Sequence, residues 1–245
     1  YTYNFYKRPR IKMLKIVIID DNYKIVETIC NKLGDDPTNQ YRIFKISTDS
    51  EQALDYILTC EADVIILDLN MPKLSGIDIL EIMREKNITT KVIGISGEEN
   101  YIVELLKRNI KVYKMFIKPF QLDDLVETLR KLNKDKNENM KLTSILNQFD
   151  FNKASSGYTY LIDCLEICIE EKWHTVPSMN LLYQKLGERR KIYTVKNIGW
   201  NVEKAIRTMN RLTKQSILSE FFPYHSYPSP KIFFNTILDL FYEKF

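Results

Sequence analysis

Long hydrophobic runs, metal-binding cysteine spacings and a large net charge are all missing from this 245-residue chain. No apolar run approaches the roughly 20 residues that cross a bilayer, so no membrane association is expected. No secretory signal is visible either. The four cysteines, Cys30, Cys60, Cys164 and Cys168, are scattered without metal-ligand spacing. Cys164 and Cys168 lie four apart on an expected helix and read as reduced core residues, which places the chain in the cytoplasm. After residue 140 there is no constellation of side chains suited to catalysis, which argues against an enzyme. What is present is ordinary globular material, 44% hydrophobic and 28% charged, enough for one large or two ordinary domains.

The net charge of +4 conceals an asymmetry. Residues 13–140 carry 18 Lys and Arg against 22 Asp and Glu, whereas residues 141–245 carry 14 against 10. The remaining positive charges are Lys7, Arg8, Arg10 and Lys12. An acidic front and a basic back suggest two modules with different partners. Met13 looks like a natural start, and residues 1–12, aromatic and basic without a period, read as an N-terminal extension of no assigned function.

From residue 14 the pattern alternates strand and helix five times. Strand-like runs occupy 15–19, 41–46, 64–67, 91–95 and 112–117, and amphipathic helical stretches 22–33, 50–59, 77–86, 99–108 and 121–132. Such units imply an α/β fold, a five-stranded parallel, doubly wound, flavodoxin-like sheet over residues 13–133. The run Val64, Ile65, Ile66, Leu67 is too short for a helix and reads as a fully buried strand ending in Asp68. Ligands of such sheets bind beyond the strand ends, where Asp20 and Asp21 also emerge. Three carboxylates there call for a cation, with Mg²⁺ the natural candidate and Lys118 a second positive charge. The alternative for each aspartate alone is N-capping of the next helix, and for Ser96 alone a loop or cap hydroxyl.

Asp20, Asp21 and Asn22, then Asp68, Met71, Pro72 and Gly76, then Ser96 and Gly97, then Lys118, Pro119 and Phe120 together resemble the receiver domain of two-component response regulators. The resemblance spans about residues 14–132. It implies that Asp68 accepts a phosphoryl group from a phosphohistidine of a histidine kinase or phosphotransferase. It implies Mg²⁺ on Asp21, Asp68 and the carbonyl of Asn70, with Asp20 acting through water. Lys118 and the Ser96 hydroxyl would meet the phosphoryl oxygens, and the Lys118–Pro119 bond would be cis. Receivers often carry an aromatic residue where this chain has Met115, a side chain that specifies a rotamer poorly.

Residues 134–140 are polar without a hydrophobic period and read as a linker. Beyond them strand patterns cease, and residues 141–245 form an expected all-helical domain with helices near 142–149, 157–172, 178–188, 197–213, 216–221 and 231–244. Along 197–213, Ile198, Val202, Ala205, Ile206, Met209 and Leu212 share one side. Asn197, Asn201, Lys204, Thr208 and Arg211 share the other, flanked by Trp200 and Arg207. From Lys185 to Lys214 nine residues are basic and two acidic. Asn can address adenine, Lys or Arg guanine, and nearby charges such as Arg189 and Arg190 phosphates, so this helix fits the recognition helix of a helix-turn-helix, with 178–188 as the positioning helix. A solvated amphipathic helix is the alternative.

Residues 157–161, 202–207 and 230–234 resemble the C-terminal DNA-binding domain of the sporulation master regulator family (stage 0 sporulation protein A). That likeness implies DNA contacts from Glu203, Lys204, Arg207 and Thr208, and matches Asn201 to a position where the family has arginine. Residues 188–193 lengthen the connection between the two helices, Gly199 weakens the start of the second by about 1 kcal/mol, and Trp200 replaces a small residue. A divergent member is therefore expected, not the master regulator itself. Two readings follow. One is a sporulation-related transcription factor that forms a homodimer on phosphorylation and then binds a two-part DNA site. The other is a signalling adaptor whose helical domain binds a protein.

Overall fold

The computed structural model describes residues 12–243 apart from 39, 60 and 193, with the backbone alone at 45. Residues 1–11 of the expected extension and Cys60 lie outside that set. Five strands and ten helices occur among the described residues. The chain divides into two compact units, one running to Asn137 and the other beginning at Glu138.

The first unit alternates β1 (Leu14–Ile19), α1 (Tyr23–Gly34), β2 (Tyr41–Ser47), α2 (Ser50–Thr59), β3 (Val64–Asp68), α3 (Gly76–Glu85), β4 (Lys91–Ser96), α4 (Asn100–Lys107) and β5 (Lys114–Ile117), followed by α5 (Leu122–Leu146). The strands are parallel in the order β2-β1-β3-β4-β5, the doubly wound arrangement with its switch point between β1 and β3. Both faces are covered along β1 and β3, which is why these central strands read as apolar runs, whereas edge strand β2 leaves Phe44 and Ile46 exposed. Ile16, Ile18 and Ile66 meet Val26 and Ile29 of α1 and Leu125 and Leu129 of α5. Their neighbours Val17, Ile19, Ile65 and Leu67 point the other way, onto Ala53, Ile57, Ile77, Leu80 and Leu105 of α2, α3 and α4. The register brings the strand ends level, since Ile19 pairs with Leu67, Asp68 with Ile95 and Ser96 with Ile117.

One expectation is corrected. The helices expected at 121–132 and 142–149 are one, because α5 passes without a break to Leu146 through the polar stretch 134–140, within which the units divide. Tertiary hydrogen bonds replace the missing apolar period. Buried Asn133 donates to Gln40 Oε1 at 3.0 Å, Lys136 Nζ to Asp63 Oδ2 at 2.6 Å, and Asn137 Oδ1 accepts from the Lys12 amide at 3.0 Å.

The second unit packs α6 (Ser156–Glu170), α7 (Met179–Arg190), α8 (Val195–Leu212), α9 (Gln215–Phe221) and α10 (Pro230–Tyr242) around Phe233, Phe234, Leu161, Leu182, Ile198 and Ile206, with Leu142, Ile145 and Leu146 of α5. Cys164 and Cys168 are free thiols buried in this core. No described helix is long and apolar enough to cross a membrane. A second correction concerns the α7–α8 connection. Glu188, Arg189 and Arg190 belong to the last turn of α7, which ends at Lys191 in the left-handed conformation, so only residues 191–194 connect the helices.

Gly157 sets how closely α6 and α8 cross, since a Cβ there would lie 2.2 Å from the carbonyl oxygen of Asn201. Gly157→Ala therefore forces the two helices apart. The expected cost is about 1–3 kcal/mol, seen as a lower denaturant midpoint for the helical unit.

Candidate functional site

Asp20 and Asp68 leave the sheet side by side from adjacent strands and are 1% and 3% exposed. Each is held in the same way. Asp20 Oδ1 accepts from the Asn22 amide at 2.9 Å, and Asp68 Oδ1 accepts from the Asn70 amide at 2.9 Å. The remaining oxygens converge on Lys118, whose Nζ lies 2.8 Å from Asp20 Oδ2 and 2.7 Å from Asp68 Oδ2. The Lys118–Pro119 bond is cis. Neither aspartate is a helix cap. Asn22 caps α1, and Ser75 caps α3 in a reciprocal capping box with Asp78. Gly76 lets α3 begin against the strand end, because a Cβ there would meet the Asp68 carbonyl oxygen at 2.3 Å.

Burial pushes the Asp20 carboxyl above its usual range, opposed by the Lys118 hydrogen bond. Burial works against the charge on Lys118 as well, but its hydrogen bonds to Asp20 and Asp68 prevail and hold the ammonium above its ordinary value. Exposed Asp21 completes a set of carboxylate oxygens within 4.8 Å of one another. Three carboxylates against one ammonium leave two negative charges, which suits a hard divalent cation with oxygen ligands.

Ser96 ends β4 and is fully buried, but its hydroxyl is turned to its own loop, donating to the Glu98 carbonyl at 3.1 Å and accepting from the Glu98 amide at 3.0 Å. Its carbonyl accepts from the Lys118 amide at 2.7 Å, tying the two strand ends together. Tyr101 at the start of α4 reaches the site unforeseen, its hydroxyl 3.1 Å from Asn70 Oδ1. No local pattern flags it, because its role depends on β3 and β4 being neighbours. Met115 is half-buried among the residues beneath α2–α4.

In the helical unit, α8 buries Ile198, Val202, Ala205, Ile206 and Met209 and turns Asn197, Lys204, Arg207 and Arg211 outward. Trp200 is 61% exposed, with Lys204 Nζ 4.8 Å from its ring centroid. Arg207 pairs with Glu203 at 2.9 Å. Asn201 donates to the Asn197 carbonyl at 2.7 Å and accepts from Ser156 Oγ at 3.1 Å. Asn201, Lys204 and Thr208 line a concavity of about 220 Å³ with Asn152, Ser155 and Ser156. Arg189 and Arg190 are engaged elsewhere, in ion pairs with Glu170 and Asp163 of α6. Both arginines remain partly exposed beside these acidic neighbours.

A family model described as the response regulator receiver domain matches residues 16–130. Sporulation initiation phosphotransferase F of Bacillus subtilis is 30% identical over 122 residues, which cover 48% of this chain and 91% of that protein. Transcriptional regulatory protein DegU of Brevibacillus brevis is 29% identical over 119 residues, covering 48% of this chain and 49% of DegU. The chain thus spans about half the length of DegU, and likewise of the DltR regulators of Streptococcus agalactiae. Among solved structures, the receiver domain of the Francisella response regulator 1452 is 32% identical and covers 50% of this chain and 98% of its own, with a TM-score of 0.43. The chain belongs to the response regulator receiver family, through its residues 16–130.

The buried charges give a direct test. Lys118→Met leaves two carboxylates facing each other without compensation and costs about 3 kcal/mol near neutral pH. A proton on either carboxyl relieves the repulsion, so the deficit shrinks as pH falls. Adding Asp20→Asn restores part of the loss, as urea midpoints across pH would show.

Proposed function

We propose that this protein is a phosphorylation-dependent transcription factor of a phosphorelay, with a sporulation-related role suggested by the resemblance of residues 141–245 to the sporulation master regulator family. The pairing of Lys118 with both Asp20 and Asp68 is the observation that carries the receiver half. Asp68 is the phosphoacceptor. Its carboxylate oxygen forms a bond to phosphorus as the donor's phosphorus–nitrogen bond breaks and the imidazole leaves. Lys118 holds the carboxylate before transfer and a phosphoryl oxygen after it. The Ser96 hydroxyl leaves Glu98 and donates to another phosphoryl oxygen. Asp20, Asp21, Asp68 and Asn70 are the residues to hold Mg²⁺, which when bound neutralises phosphoryl charge.

The helical unit is the output module. Its support is the outward stripe of α8, where amide and cationic side chains share one exposed face within a basic segment. Asn197, Asn201, Lys204, Thr208 and Arg211 address bases or phosphates from that stripe, with Glu203 orienting Arg207. Arg189 and Arg190, partly exposed beside their acidic partners on α6, contact phosphates without regard to sequence. Phosphorylation favours homodimers, which bind a paired site more tightly through effective concentration. A second reading, a protein-binding adaptor, draws on the exposed ring of Trp200.

Selection of bound fragments from a genomic DNA pool at fixed salt tests the proposal, with and without an acyl-phosphate mimic and Mg²⁺. A paired motif enriched only with the mimic, and lost in Asp68→Asn, is expected. Lys204→Ala and Arg207→Ala each weaken binding about 10-fold or more and relax the motif. No enrichment under any condition transfers the assignment to the adaptor.

A further inference from the structure

The hydrogen bond from Tyr101 to Asn70 joins two walls of the phosphoacceptor pocket. Asn70 lies in the loop after β3, and its amide holds Asp68 Oδ1. Tyr101 lies on α4, which follows the Ser96 loop at the end of β4. Because β3 and β4 are adjacent, with Asp68 opposite Ile95, their hydrogen bond spans the gap between the two strand ends. A phosphoryl group on Asp68 would share that gap with Ser96. The Tyr101 ring packs on the core beneath α2–α4, so the hydroxyl reaches out from an anchored base. Burial, then the carboxylates of Glu98, Glu104 and Asp68, raise its phenol above the ordinary value, and it stays a donor throughout the physiological range.

Hydrolysis of an acyl phosphate on Asp68 has a defined geometry. A water oxygen attacks phosphorus from the side opposite the Asp68 oxygen. The phosphorus–Asp68 bond breaks, its electron pair returns to the carboxylate, a water proton passes to solvent, and inorganic phosphate leaves. The attacking water must therefore enter through the pocket mouth. Asn70 Oδ1 is an acceptor at that mouth, able to orient such a water, and the Tyr101 hydroxyl occupies it. We propose that Tyr101 is a positioning residue that closes the β3–β4 side of the mouth through Asn70 and so prolongs the life of the phosphorylated state. This rests on Asp68 being the phosphoacceptor.

Tyr101→Phe keeps the ring packing and removes only the donor. The full chain is loaded from acetyl phosphate with Mg²⁺, the donor is removed, and the decay of phosphoprotein is followed for wild type, Tyr101→Phe, Asn70→Ala and the double variant. Loss of one hydrogen bond of ordinary strength shortens the half-life about fivefold in Tyr101→Phe. The double variant decays no faster than Asn70→Ala alone, because both changes open the same bridge. Unchanged melting temperatures separate this from a general loss of structure. A Tyr101→Phe half-life equal to wild type, or effects that multiply in the double variant, overturns the role of Tyr101 while leaving Asp68 in place. Wild-type protein that takes up no phosphoryl group overturns both.

Discussion

A single ammonium group between two buried carboxylates governs the receiver half of this chain. The sheet around it is apolar on both faces, so its strand ends are where charge can be gathered. Two aspartates on neighbouring strands would repel one another there, and the cost of an uncompensated buried charge runs to several kcal/mol. Lys118 answers both at once, and β4 holds β5 in the register that delivers it. The close start of α3 at Gly76 and the amides of Asn22 and Asn70 then leave each carboxylate one fixed orientation. Charge compensation and fold are here the same problem in electrostatics.

The helical unit solves a different problem. Its core is aromatic and aliphatic, with Phe149, Phe222, Phe233 and Phe234 in contact. Its charges lie on the outside, some neutralised between helices and some left outward. Lys185, Arg189 and Arg190 lean on Glu171, Glu170 and Asp163, whereas α8 keeps Lys204 and Arg211 at the surface. Bracing and display are thus divided between adjacent helices.

Much of this was readable from the residues alone, because the relevant signals are local. Apolar runs of four to six residues, each ended by a polar side chain, announce buried parallel strands, and level strand ends turn separate aspartates and a lysine into one site. The stripe on α8 is equally local, a matter of 3.6-residue spacing. Signals that depend on distant partners were lost. Nothing near residues 133–137 says that Gln40, Asp63 and Lys12 will sustain a helix through them. Nothing beside Arg189 announces Glu170, nineteen residues earlier. Tyr101 likewise gains its meaning from a residue on the neighbouring strand's loop.

The separation of stripes on α8 has a consequence for how such a chain changes over generations. Val202, Ala205, Ile206 and Met209 carry the packing and tolerate little, while the outward Lys204, Arg207 and Arg211 add little to stability. Substitutions on the outward stripe are therefore nearly free of folding cost. A duplicated copy can drift to a different outward surface one side chain at a time, each intermediate still folded.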